Sequence, residues 1–188
     1  TTDLVARLLA QRMSTQMNGT VVVENKPGAS TNIATEFVAK SKADGHTLLI
    51  NTPSMVLSTA FDMKLSYDLF KDLAPVALVG SVPFVIVVHP GLPPNTPAEF
   101  IAHVRANPDK LAYGSTGAGG ATHLSALLFL QAHGLSALHV PYKGSPAALL
   151  DLAAGRIQFR FTDLPSMVGM VKDKRLKAIA SAGLKRSA

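Results

Sequence analysis

The residues with the clearest chemical pattern lie in "LAYGSTGAGGATHLSALL", 111–128. A strand-like apolar run ends at Tyr113, a Gly/Ser/Thr string follows, and Leu124, Leu127 and Leu128 then take up helical spacing. A glycine-rich turn feeding a helix presents free backbone N–H groups and the positive end of the helix dipole, which suits an anion. The spelling argues against nucleotides. A phosphate-binding P-loop needs Lys and then Ser or Thr after its last Gly, whereas Gly120 is followed by Ala121 and Thr122. A dinucleotide fingerprint begins with Gly117 and Gly119, but Thr122 stands where the third Gly belongs, and the next strand ends in "HVPYKG" with no acid for a ribose. A carboxylate needs only the N–H groups and the hydroxyls of Ser115, Thr116 and Thr122. Tight-turn and capping roles are the alternative for these residues.

Similar spellings recur at the ends of other strand-like runs: "NTPS" with Thr52 and Ser54, "PYKGS" with Lys143, and "FTDLPS" with Asp163. Each places small hydroxyls at a helix start, either as independent caps or as parts of one polar anion-binding cleft. Lys143 can pair with a carboxylate or stay solvated. Asp163 can select an ammonium group or cap the helix at Pro165.

Enzymatic readings lack their signatures. Ser115, His123 and Asp163 can be drawn as a triad, but no G-x-S-x-G elbow surrounds Ser115. The six His have no metal-ligand spacing, and His123 reads as a packing residue. The chain contains no Cys, which excludes disulfides, thiolate metal sites and Cys nucleophiles. No catalytic residue, metal or cofactor is expected.

The elements that must position these residues alternate along the chain. Residues 3–17 form an amphipathic helix with Leu4, Val5, Leu8, Leu9, Met13 and Met17 on one face, capped by Thr2 or Asp3. "VVVEN" reads as a strand, Ser30 or Thr31 starts a helix, and "HTLLI" reads as a second strand. "PVALVGSVPFVIVVHP" reads as one strand leaving a sheet and another entering a second sheet. "TPAE" at 96–99 is a capping box. Strands at 111–114, 137–141 and 156–161 alternate with helices, one of them capped by Ser145 and closed by Gly155, and "LKAIASAG" is the last strand. This order predicts an α/β fold with mainly parallel sheets flanked by helices. The break at "GSVP" predicts two lobes, 1–82 and 83–188, with a hinge near Gly80–Pro83.

The 188 residues are 47% hydrophobic and 16% charged, with a net charge of +6. The basic residues are dispersed except in the tail "VKDKRLKAIASAGLKRSA", and no RNA-binding aromatic motif accompanies them. The charge therefore suits the steering of small anions, or solubility alone, rather than nucleic acid. No apolar run reaches membrane-spanning length. The chain opens on "TTDLVARLLA" without an initiating Met and reads as a mature or truncated product.

The combination of "TTDLVARLLAQRM", "VVVENKPGAS", "KADGHTLLINTPS", "DLFKDLAPVALVGSVPFVIVVHP", "YGSTGAGGATHLSALLF", "HVPYKGSPAALLDLAAGRI" and "FTDLPS" resembles the Bug (TctC-like) family over essentially the whole chain. These are extracytoplasmic solute-binding receptors of tripartite tricarboxylate transporters. The resemblance implies a two-lobed periplasmic-binding-protein (type II-like) fold that closes on a carboxylated small molecule. It also implies a periplasmic location and membrane transporter components as partners. Ser115, Thr116, Gly117, Gly119 and Thr122 match the family's second-lobe ligand loop, Thr52 and Ser54 match the first-lobe strand end, and Thr2 and Asp3 match the first helix start. Family members begin with a strand and a Pro/Gly-rich loop before the "TD" and continue past "LKRSA", so the resemblance implies truncation at both ends. An effector-sensing domain of a transcriptional regulator with the same architecture is the alternative.

Overall fold

In the computed structural model, which describes residues 1–60 and 63–183, the chain divides into two units, Thr1–Val76 and Ala77–Ala188. The end of the basic tail, 184–188, and residues 61–62 lie outside the described residues.

The first unit carries α1 (Thr2–Gln16), a 3-10 turn (Ala29–Thr31), α2 (Asn32–Ala39) and α3 (Ser54–Ala60). α1 matches the periodicity, but Thr1 takes the N-cap position and no side chain caps the helix. Asp3 instead accepts from Arg7 Nε at 3.0 Å and from Asn25 Nδ2 at 2.6 Å. The strands expected at "VVVEN" and "HTLLI" do not form among the described residues. A strand needs a hydrogen-bonded neighbour, and these segments have none there, leaving Val22 82% and Leu48 55% exposed. The same holds for 75–83, where Val76 and Leu78 are exposed. The apolar stripe of α1 also stays outside, with Leu4, Leu8 and Met17 exposed and only Ala10 buried.

The second unit is built on one five-stranded sheet: β1 (Phe84–Val88), β2 (Ala112–Ser115), β3 (Leu138–Pro141), β4 (Phe159–Asp163) and β5 (Lys177–Ser181), in the order β3-β2-β4-β1-β5. β2 is parallel to β3 and to β4. β1 runs antiparallel to both of its neighbours, β4 and β5. The sheet is therefore mixed rather than mainly parallel, with two parallel and two antiparallel pairings, because the strand at 84–88 runs against both of its neighbours.

Side chains alternate across the sheet, and each face buries its own core. Ile86, Val88, Tyr113, Phe159 and Phe161 pack with Phe100 and Val104 of α4 (Pro97–Ala106) and with Ala126 and Leu130 of α5 (Ala121–Ala132). Val85 and Val87 pack on the other face with Leu149 and Leu152 of α6 (Ser145–Ala153) and with Met167 of α7 (Leu164–Lys172).

Local signals set the helix ends. Thr96 Oγ1 accepts from Glu99 N at 3.2 Å, and Glu99 Oε2 accepts from Asn95 N at 2.8 Å. Thr96→Ala is expected to cost about 1 kcal/mol in chemical denaturation, and an unchanged midpoint would contradict the cap. α5 ends on Gly134 at φ +58°, where the N–H of Leu135 returns to Leu130 O at 2.8 Å. Gly144 rather than Ser145 holds the N-cap of α6, and Asp163 holds the N-cap of α7, as expected, but with no side-chain capping hydrogen bond. The Ser145 hydroxyl is drawn away by Arg160, whose Nη2 donates to it at 3.1 Å.

Candidate functional site

Because β3, β2 and β4 run parallel, the helices that follow them all begin at the carboxyl end of the strands, where open α/β sheets bind ligands. That edge gathers the 115–122 loop, Tyr142 to Gly144, and Asp163. A hydrogen bond from Tyr142 N to Ser115 O (2.9 Å) continues the β2–β3 pairing into the loops.

The glycine loop is held by its own small side chains. Ser115 is fully buried, and its Oγ accepts from Gly117 N at 3.1 Å, donates to Gly117 O at 3.2 Å and lies 2.7 Å from His139 Nε2. Thr122 Oγ1 accepts from Thr116 N at 3.0 Å and lies 3.1 Å from Thr116 Oγ1. Gly117 (φ +129°) and Gly119 (φ +73°) take backbone conformations that disfavour side chains. No side chain caps α5, whose N-cap is Gly120. The loop therefore combines a helix start that no side chain caps with hydroxyls fixed by neighbouring backbone.

Three aromatic rings stack beneath the loop. His139 lies 4.1 Å from His123 and 5.0 Å from Tyr113, centroid to centroid. His123 Nδ1 accepts from Gly119 N at 3.2 Å. Burial lowers the pKa of both imidazoles, and the charge of His123 lowers that of His139 further. Burial raises the Tyr113 phenol.

Beside the loop, Tyr142 donates to Asp151 Oδ2 at 2.8 Å. Burial, and then the hydrogen bond to Asp151, push its pKa up to about 12. Arg160, fully buried in β4, donates from Nη1 to Ser145 O at 3.1 Å, and burial lowers its pKa to about 10. Thr162 and Ser166 join hydroxyls at 3.0 Å, and Ser166 donates to Asp163 O at 2.8 Å.

The second unit thus brings Ser115, Thr116, Gly117, Gly119, Thr122, Lys143 and Asp163 to one sheet edge. Lys143 is exposed there and belongs to none of the ion pairs of the described residues. Thr52 and Ser54 belong to the first unit. Thr52 N donates to Asn51 Oδ1 at 2.7 Å, and Ser54 is buried at the start of α3. Asn51 Nδ2 in turn donates to Thr35 Oγ1 at 2.7 Å. Close by in sequence, Gly28, Ala29, Ser30 and Thr31 all have positive φ, a strained run of the kind concentrated at functional sites. Sequence reasoning missed His139, Arg160 and this run. Only Arg160 left a visible signal, as a cation between the phenylalanines of "FRF".

Among the described residues, no cluster of His, Cys, Asp or Glu could hold a metal ion, and no helix is long and apolar enough to cross a membrane.

A mixed sheet sandwiched by helices, with polar loops gathered at one strand edge, is the α/β architecture of periplasmic binding proteins. The chain belongs to the tripartite tricarboxylate transporter receptor (TctC) family, whose model matches residues 5–188; it is a family of solute-binding receptors. Protein BugT of Bordetella pertussis is 34% identical over 188 residues, 99% of this chain and 58% of BugT. Rpa4515 of R. palustris, solved with adipate, superimposes with a TM-score of 0.93 at 36% identity, covering 99% of this chain and 62% of that one. MatC (Rpa3494) of Rhodopseudomonas palustris, solved with bound malate, gives a TM-score of 0.91 at 29% identity, covering 99% and 64%. The chain spans a little over half the length of the curated relatives it matches.

Proposed function

We propose that this chain captures a small carboxylate, among di- and tricarboxylates, aromatic acids and amino acids, in the periplasm and delivers it to the membrane components of a tripartite tricarboxylate-type transporter, without covalent chemistry. The observation that carries this reading is the uncapped start of α5 behind the glycine loop, with Thr116 and Thr122 locked together. The carboxylates bound to Rpa4515 and MatC support the ligand class. In this reading the carboxylate lies against the start of α5, and Ser115, Thr116, Gly117, Gly119 and Thr122, hydrogen-bonded within the loop, shape the surface that receives it. Thr52 and Ser54 offer small hydroxyls at a helix start in the first unit. Lys143 adds positive potential, and Asp163 favours a ligand that also carries an ammonium or hydroxyl donor.

A helix start contributes roughly 0.3–1 kcal/mol and each charge-assisted hydrogen bond about 1.5–3 kcal/mol. Several together give affinities of about micromolar once ordering costs are subtracted. Calorimetry against a panel of dicarboxylates, tricarboxylates, aromatic acids and amino acids tests the reading, and exclusive binding of a neutral sugar would overturn it. Thr122→Val keeps the shape but leaves the N–H of Thr116 without its acceptor. It should weaken binding of the best acid about tenfold; unchanged affinity would remove the loop from the site.

A further inference from the structure

The net charge of the chain is unevenly placed. Bases and acids are equal in number in Thr1–Val76, so the whole net charge of +6 falls in Ala77–Ala188. Within that unit the strand directions sort the charges. β2, β3 and β4 run parallel, and β5 runs with them, because β4 and β5 both oppose β1. The segments leading into these strands, 107–111, 133–137, 154–158 and 172–176, therefore share the amino edge of the sheet, opposite the glycine loop. At the glycine-loop edge Lys143 and Asp163 balance. At the amino edge stand Lys110, Lys172, Lys174 and Arg175, all exposed and in none of the ion pairs of the described residues. Arg156 is there as well but pairs with Asp151 at 2.5 Å. Glu99 and Lys177 both bond to Asn95 and offset each other. The exposed acids Asp109 and Asp173 offset the free bases only in part. The chain enters β1 at Phe84, opposite Asp163, and leaves β5 at Ser181, opposite Val85, so both connections lie at the glycine-loop edge.

The amino edge is kept basic against a backbone preference. The turn that closes α7 is left-handed at Lys174 (φ +57°), with Lys174 N donating to Val171 O at 3.0 Å and Arg175 N to Met170 O at 2.8 Å. The matching turns after α5 and α6 use Gly134 (φ +58°) and Gly155 (φ +75°), the residue type that this conformation favours. A lysine is thus held where glycine is the less strained choice. The charge is also badly placed to steer a ligand. β4 alone spans about 13 Å from edge to edge, more than the screening length of about 8 Å at physiological ionic strength. These bases therefore act at their own edge and not at the glycine loop.

We propose that the amino edge of the second unit, centred on Lys172, Lys174 and Arg175, is a docking surface for an anionic lipid bilayer. This surface is independent of the carboxylate reading above. A protein partner is held by an apolar interface core with aromatic anchors, but among the described residues Leu138 is the only large apolar side chain exposed at the starts of these strands. A helix that inserts into a bilayer needs an apolar face too. Adsorption to anionic headgroups needs only clustered cations, and "KDKRLK" at 172–177 supplies four within six residues. Lysine, a hydrated point charge on a flexible stem, suits mobile headgroup phosphates better than a fixed, bidentate acid. Adsorption through this edge leaves the glycine loop on the edge of the sheet turned away from the lipid.

The test is co-sedimentation of the whole chain with vesicles of equal parts phosphatidylglycerol and phosphatidylcholine, and with vesicles of phosphatidylcholine alone. The protein should bind the first and not the second. Raising NaCl from about 0.05 M to about 0.3 M should weaken binding about tenfold or more. A variant carrying Lys172→Gln, Lys174→Gly and Arg175→Gln should lose about tenfold or more of its vesicle affinity. A variant carrying Arg12→Gln, Lys42→Gln and Lys64→Gln removes as much charge from exposed, unpaired bases of the first unit and should bind as the natural protein does. Equal losses in the two variants mean that net charge acts rather than this surface, and overturn the inference. Absence of binding to phosphatidylglycerol also overturns it. Tighter binding to poly-glutamate than to the vesicles assigns the surface to an acidic protein and overturns it as well. If the second-unit triple variant does not fold, Lys174→Gly alone decides. It should raise the urea midpoint and weaken adsorption, and unchanged adsorption overturns the inference.

Discussion

Phe159→Ala is expected to destabilise the second unit by about 3–5 kcal/mol, a large share of the roughly 5–15 kcal/mol by which ordinary domains are stable. Phe159 is fully buried, packs edge-on against Phe100 at 5.1 Å and stacks on Tyr113 at 5.6 Å. It belongs to β4, which pairs with β1 on one side and β2 on the other. A cavity there would loosen Tyr113, which stacks on His139, which in turn steadies Ser115. The loop should therefore lose order along with stability, and ligand affinity should fall further than a purely global effect would give. Urea denaturation followed by circular dichroism measures the first quantity, and calorimetry measures the second. A loss below about 1 kcal/mol, well short of a core aromatic deletion, would contradict the packing described.

The second expected result is acid sensitivity of the same loop. His123 and His139 both have pKa values lowered from an ordinary 6.5. Between the lowered pKa and about 6.5 the unfolded chain binds more protons than the folded one, so stability rises with pH in that window. The stabilisation is complete above about pH 6.5 and is lost as pH falls through the lowered values. The groups facing the two rings are Tyr113, the Ser115 hydroxyl and the Gly119 N–H. No carboxylate forms an ion pair with either ring among the described residues. The rings stack at 4.1 Å, where two unit charges repel by about 1 kcal/mol in water and about 4 kcal/mol at an effective dielectric of 20. The pair therefore resists a second proton. A protonated His123 carries hydrogen on Nδ1 and can no longer accept from Gly119, so the loop should open as it charges. NMR titration of the imidazoles beside affinity at pH 7.5 and 5 checks this. Titration of both rings at or above 6.5, or affinity that does not weaken at pH 5, would refute it. His123→Gln should flatten the pH profile.

Much of the second unit was legible in the sequence because its signals are local. Thr96, Pro97 and Glu99 announce α4 within a single turn, and Gly134 and Gly155 close α5 and α6 where the backbone must turn left-handed. The glycine loop and its helix are contiguous, so their junction could be read directly. What escaped depends on partners distant along the chain. The reversal of β1 follows from neighbours at 159–163 and 177–181. Ser145 looks like a cap from its own neighbourhood, yet Arg160, fifteen residues on, takes its hydroxyl. His139 reaches Ser115 across 24 residues. "VVVEN" and "HTLLI" have strand composition, but composition supplies no hydrogen-bonding neighbour.

The reversed strand also has a consequence for how the protein is made. β1 emerges from the ribosome early, but both strands that flank it come much later; residues 89–158 separate it from β4 alone. At about 5–20 residues per second, translation of that interval takes about 4–14 s. Throughout it "FVIVV" has no native neighbour to pair with, while β2, β3 and the helices around them are completed. Closing so long a loop is slow, and an apolar strand left waiting invites pairing with other nascent chains. The β4-β1-β5 side of the sheet is thus the last part to assemble, and the yield of folded protein should depend on chaperones that shield residues 84–88 during synthesis.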